Sequence, residues 1–238
     1  MNAPGDRRSE IAAGLETVRG RIAAACAEAG RLPDEVTLTV VTKYFPVSDV
    51  RLLADLGVTD VGENKHQEAE AKADECADLG LRWHFVGNLQ SNKAAAVARY
   101  ADVVESVDRP KLLKGLARGA AERGRELDCL VQVNLDPDAG TGSGRGGAAP
   151  DDVVALAEQL AGTENLRLRG VMAVAPPGED PRPAFDRLAR LADQVRRVEP
   201  SATWVSAGMS GDLEEAVGTG ATHVRIGSAV LGPRPPLG

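Results

Sequence analysis

No run of about 18 apolar residues, the length a helix needs to cross a bilayer, occurs anywhere in the chain's 238 residues. Basic charge is also short, with 28 Lys and Arg against 35 Asp and Glu and a formal net charge of -7. Binding to a phosphate backbone needs a cationic face that releases condensed counterions, so no nucleic-acid partner is expected. Cysteine is limited to Cys26, Cys76 and Cys129, an odd and scattered set without the spacing of a metal knuckle or a redox pair. These thiols read as reduced and structural. Asp6, Arg7, Arg8 and Glu10 precede the first apolar run, so no leader is expected and the chain reads as cytoplasmic, with no membrane attachment. What is present is ordinary for a globular protein: 43% apolar and 26% charged residues, enough for a sizeable core at this length.

Short β-branched runs alternate with longer stretches of helical period, the pattern of a βαβ array. After an opening helix over roughly 6–29, strands are predicted near 36–42, 58–61, 83–86, 102–106, 128–134, 168–174, 203–206 and 222–227. Helical stretches at 47–57, 66–79, 90–99, 110–124, 151–161, 183–198 and 212–219 follow every strand but the last. Pro33, Pro46, Pro110, Pro150 and Pro181 stand near helix entrances or strand edges, where a missing N–H and a fixed φ cost little. Eight β-then-α units in about 200 residues fit a closed (β/α)8 barrel better than an open doubly wound sheet. The expectation is one α/β barrel domain over residues 1–238 with an extra N-terminal helix. The one low-complexity segment, 139–149 (AGTGSGRGGAA), is expected to be a mobile loop before the fifth barrel helix.

Active sites of such barrels lie at the carboxyl ends of the strands, and here those ends are polar. The first strand, VTLTVVTK, closes on Lys43, the second, VTDVGEN, on Glu63 and Asn64, and the third, WHFVGN, on Asn88. Ser106, Asn134 and Met172 end the fourth, fifth and sixth. Ser206 and Ser210 follow the seventh, and Arg225, Gly227 and Ser228 the eighth. Burial at the end of an apolar strand disfavours an ammonium and yields the neutral amine that attacks a carbonyl, so Lys43 is the candidate Schiff-base residue. For a single strand-end lysine the alternative is that it snorkels outward or pairs with an acid such as Glu63. Ser206 and the segment RIGS, with Gly208 and Gly211 nearby, stand where such barrels build phosphate sites. Tight turns without a ligand are the alternative for the glycines.

Other motifs carry less. His66 and Glu70 share a helical face and His84 and His223 lie in strands, but no second histidine sits at ligand spacing, so no metal is expected. Flanked by Trp83 and Phe85, His84 reads as a packed strand residue with a satisfied ring nitrogen. The segment GSGRGG at 142–147 matches G-x-G-x-x-G in form but lacks the following strand and ribose-binding acid.

Along nearly its whole length the chain resembles the pyridoxal phosphate homeostasis proteins. The resemblance rests on VVTKYFP around Lys43, DVGENKHQEA around Asn64, WHFVGNLQSNK from Trp83 to Lys93, SVD from Ser106, VQVN to Asn134, SAGMSGDLEEAV and VRIGSAVLG. It implies a barrel like the N-terminal domain of alanine racemases standing alone, with pyridoxal 5′-phosphate as cofactor, held as a Schiff base on Lys43. It also implies Ser206, Gly227 and Ser228 at the phosphate, Arg225 facing the pyridine nitrogen and Asn64 lining the pocket. An arginine there keeps that nitrogen unprotonated, because two cationic donors cannot share the contact, and this weakens the ring as an electron sink. Asn88, Lys65 and Ser228 stand where the family more often has histidine, an aromatic and threonine.

The resemblance therefore implies a carrier that binds and buffers pyridoxal phosphate in intracellular vitamin B6 homeostasis, with at most weak catalysis and with pyridoxal-phosphate-dependent apoenzymes as recipients. An amino-acid racemase is the competing reading, and it needs a second base opposite the lysine. Tyr44 is expected on the other side of the strand and Tyr100 at a helix end, and the chain is expected to lack the further domain that supplies this base in alanine racemases. A lysine-dependent aldolase acting on a phosphorylated sugar is a third reading, against which Arg225 argues. No long apolar helix face is left unpaired, so a monomer is expected.

Overall fold

Branched Cβ atoms and aromatic rings fit a pleated strand better than a helix, and in the computed structural model, which describes residues 4–136 and 146–233, seven Val-bearing runs and the aromatic run RWHF become strands. They are β1 (Thr37–Val41), β2 (Asp60–Glu63), β3 (Arg82–Phe85), β4 (Val103–Val107), β5 (Leu127–Gln132), β6 (Leu166–Met172), β7 (Trp204–Ser206) and β8 (His223–Ile226). All pair in parallel and in chain order, and β8 returns to β1 to close the barrel. Closure removes the edges that an open sheet would leave unpaired. The helices are α1 (Pro4–Glu28), α2 (Val47–Asp55), α3 (His66–Glu75), α4 (Ala94–Tyr100), α5 (Leu113–Arg123), α6 (Val153–Ala161), α7 (Arg182–Val198), α8 (Leu213–Gly218) and α9 (Ser228–Leu231). The main core is the apolar layer between strands and helices, and includes Val40, Val61, Leu116, Leu160, Phe185 and Val224.

Some local readings change. The last strand does have a helix, α9, whose four residues are too few to show a period in sequence. The stretch expected as a helix over 90–99 begins as a 3-10 turn, Ser91–Lys93, before α4. Residues 139–145 of the glycine-rich segment lie outside the described residues. The chain after them rejoins the sheet where the Ala148 N–H donates to the Gln132 carbonyl at 2.8 Å and the Asn134 N–H donates to the Ala148 carbonyl at 2.9 Å.

Residues two apart on a strand share a face, and the inner face of this barrel carries charge. His84 on β3 is clasped between Asp60 on β2, at 2.9 Å from Nε2, and Glu105 on β4, at 2.7 Å from Nδ1. Burial by itself would push the imidazole pKa down. The hydrogen bonds and charges of the two carboxylates overrule burial and push it up to about 9. Burial would likewise raise Glu105, but its bonds and charge interactions with His84, Arg225 and Ser206 bring it to about 2. His223, by contrast, is driven to about 4 by burial and stays neutral, with its ring 4.4 Å from that of Trp204. A small apolar cluster of Val103, Leu130 and Met172, with Trp204 packed on it, stands apart from the main core.

Two predictions follow from this packing. Gly170 on β6 has φ +147°, and a Cβ there would lie 1.8 Å from the Trp204 carbonyl oxygen. Gly170→Ala is expected to cost roughly 3 kcal/mol in denaturant unfolding, whereas Gly20→Ala on α1, with nothing within 4 Å of the added carbon, is expected to be neutral or mildly stabilising. His84 gains its proton affinity on folding, so its contribution to stability is complete below about pH 6.5 and is lost as pH rises through about 9. Unfolding curves across that window should show a fall of up to roughly 3 kcal/mol in the native protein and little of it in His84→Gln. Equal slopes in the two proteins would place the alkaline loss elsewhere.

Candidate functional site

At the carboxyl ends of the strands the barrel opens into a cavity of about 410 Å³. Lys43, Asn64, Arg225, Gly227 and Ser228 all line it, so five of the six residues singled out from sequence are brought together. Wider hollows of about 610 and 770 Å³ lie near the opposite ends of the strands, around Asp60, Arg82 and Asp128, and have no lysine in their walls. The first cavity is therefore the candidate site, in agreement with the face on which such barrels place their chemistry.

Strand β1 ends at Val41, so Lys43 is not a strand residue but belongs to the turn that follows. It is half-buried. Tyr44, next to it, has φ +73°, in the left-handed region that bulky residues rarely enter. That turn carries its ring away from a simple strand alternation, to 5.0 Å from the Lys65 ammonium. The carboxylate expected as an alternative partner for Lys43, that of Glu63, accepts from Lys72 at 2.6 Å and from Thr42 Oγ1 at 2.7 Å.

Ser206 is placed differently from expectation. It is fully buried, and its hydroxyl donates to Glu105 Oε2 at 2.6 Å and accepts from an Arg225 terminal nitrogen at 2.6 Å. It therefore does not line the cavity, because the last inward-facing position of β7 is already committed to the barrel interior. Ser210 and Gly211, just beyond β7, line the cavity instead. Arg225 lines the cavity and is held from behind: its other terminal nitrogen donates to the Ala173 carbonyl at 2.8 Å, and Glu105 lies 3.7 Å away. Burial lowers its pKa, Glu105 and Asp212 oppose that, and the guanidinium stays cationic.

The walls combine cationic and polar side chains with glycine. Asn64 lines the cavity, and its Oδ1 is buried with no hydrogen-bond partner. A Cβ on Gly227 would come within 3.1 Å of the Val41 carbonyl oxygen, whereas one on Gly211 would meet nothing within 4 Å. The first glycine therefore permits close approach of β8 to β1, and the second leaves room at the cavity wall. Glu105, which sequence reading passed over, had one signal available: a lone acid inside the apolar run VVESV, whose residues are all buried. Gln132, also on the cavity wall, was missed as well. Its amide donates to the Gly146 carbonyl at 3.0 Å, a contact between residues 14 apart that no local pattern announces.

Residues 21–235 match the family described as alanine racemase, N-terminal domain. A pyridoxal phosphate homeostasis protein of Mycobacterium tuberculosis is 42% identical over 250 aligned positions, covering 98% of this chain and 96% of that one. PipY of Synechococcus elongatus, solved with PLP bound, superposes with a TM-score of 0.80 at 35% identity, over 93% of this chain and 100% of that one. An alanine racemase from Corynebacterium glutamicum is similar in fold, with a TM-score of 0.68 at 16% identity over 97% of this chain and 63% of that one. By its sequence and by the barrel it forms, the chain belongs to the pyridoxal phosphate homeostasis protein family, built on the alanine racemase N-terminal domain.

Proposed function

We propose that this protein binds pyridoxal 5′-phosphate as a Schiff base on Lys43 and serves intracellular vitamin B6 homeostasis in the cytoplasm, as a monomeric single-domain carrier. The observation that carries the reading is the convergence of Lys43, Arg225 and the Gly227–Ser228 pair on one cavity at the carboxyl ends of the strands. The names of the relatives and the PLP in the PipY structure support the same choice of ligand. When bound, the cofactor supplies an aldehyde, with which the Lys43 amine condenses with loss of one water.

The remaining roles fall to the chain's own groups. Gly227 and Ser228, joined by Ser210, offer hydroxyl and amide donors to a phosphate. Ser206 contributes indirectly, by fixing Arg225. Arg225 presents a permanent cation to the ring nitrogen and so denies it a proton, which leaves the ring a weak electron sink. Asn64 lines the pocket beside them. A racemase would need a second base at the cavity, yet among the described residues neither tyrosine lines it: Tyr44 lies against Lys65, and Tyr100 is buried at the end of α4 beside His66. A held but poorly activated cofactor fits delivery to pyridoxal-phosphate-dependent apoenzymes better than turnover.

Visible absorbance of the purified protein with added pyridoxal phosphate, before and after borohydride, tests the assignment. An imine band that borohydride removes in the native protein and that is missing from Lys43→Ala is the expected result. A band that survives in Lys43→Ala would move the attachment to another lysine, and no band in either protein would overturn the Schiff base.

A further inference from the structure

The residues on either side of Lys43 are fastened to one buried ion cluster. Lys72 on α3, 5% exposed, donates to the Thr42 carbonyl at 2.8 Å, to Glu63 Oε1 at 2.6 Å and to Glu68 Oε1 at 2.7 Å. Thr42 is gripped a second time, through its hydroxyl, by Glu63. On the far side of the lysine the Tyr44 N–H donates to the same Glu68 oxygen at 2.6 Å. Neutralising the buried Glu63 would take only one of these contacts. The cluster makes two more to backbone atoms, and those atoms belong to the residues immediately before and after Lys43.

Tyr44 needs such a hold. A left-handed aromatic residue persists only where its surroundings over-determine it, because its Cβ crowds its own backbone. Without an acceptor for its N–H, the turn would relax towards the extended or right-handed regions, and a change of that size at residue 44 re-aims the side chain of residue 43.

We infer that Glu68, anchored by Lys72, is a positioning residue for Lys43: by accepting from the Tyr44 N–H it keeps the turn left-handed and sets the lysine amine in the cavity before any ligand arrives. The inference rests on the reading of Lys43 as the Schiff-base residue. It assigns a role to α3 residues that line no part of the cavity, and it makes cofactor affinity depend on a backbone hydrogen bond rather than on a contact with the cofactor.

Three variants test it. Glu68→Gln keeps an acceptor for the Tyr44 N–H, Glu68→Ala removes it, and Glu68→Ala with Tyr44→Gly removes it while abolishing the need for it, since glycine enters the left-handed region without strain. Titration with pyridoxal phosphate, read by the borohydride-sensitive absorbance, is expected to be weakened roughly 10- to 100-fold in Glu68→Ala and to stay within about threefold of native in Glu68→Gln. The double variant is expected to regain most of the loss. In cofactor-free protein, hydrogen exchange at the Tyr44 amide is expected to be slow in native and Glu68→Gln and fast in Glu68→Ala. Native-like affinity and a protected Tyr44 amide in Glu68→Ala would overturn the inference, as would a loss that Tyr44→Gly fails to restore. Should the native protein form no imine, the reading of Lys43 fails, and the exchange data still decide whether Glu68 holds the turn.

Discussion

The carboxylate of Glu105 is a charge in a place that water does not reach, and a lone acid there would cost several kcal/mol or give up its charge. It keeps the charge because His84, Ser206 and Arg225 all turn towards it, from β3, β7 and β8. Asp60 then balances His84 from the other side, so the interior holds two acids against two cations. Such a network is weak evidence for stability, since well-packed apolar groups often do as well. Its consequence is geometric: five strands are tied together, and the guanidinium that looks into the cavity is held from behind.

Around that fixed centre the site combines a rigid floor with a strained rim. Arg225 is clamped by a carbonyl and a hydroxyl, whereas Lys43 rides on a turn whose next residue is left-handed. Strain at a ligand-facing turn is stable only when the surrounding structure outweighs it, and here α3 supplies the opposing contacts through Glu68 and Lys72. The same barrel serves alanine racemases at 16% identity, so the fold by itself does not choose between carrying a cofactor and using it. Here the cavity wall carries an arginine and, among the described residues, no tyrosine.

The alternation of strand and helix was legible in sequence because each period is written locally, in branched residues two apart and apolar residues three and four apart. Lys43, Asn64, Arg225, Gly227 and Ser228 were legible for a related reason: a barrel delivers every strand end to one face, so strand ends can be pooled without knowing a single contact. The helix α9 was not, being shorter than its own signal.

What sequence determined by itself, then, is the closed parallel barrel and the list of groups at its carboxyl face. Tertiary structure alone decided how those groups divide their work. Ser206, which the resemblance assigns to a phosphate, links Arg225 and Glu105 in this structure, because residues 101 positions apart become hydrogen-bonded neighbours only when β4 and β7 face each other across the barrel. Lys72 and Glu68, which no sequence pattern singles out, bond to the backbone on either side of Lys43 once α3 packs beside the end of β1. Periodicity specifies which way a side chain points. Which partner it meets there depends on closure of the sheet, and closure is a property of the whole chain.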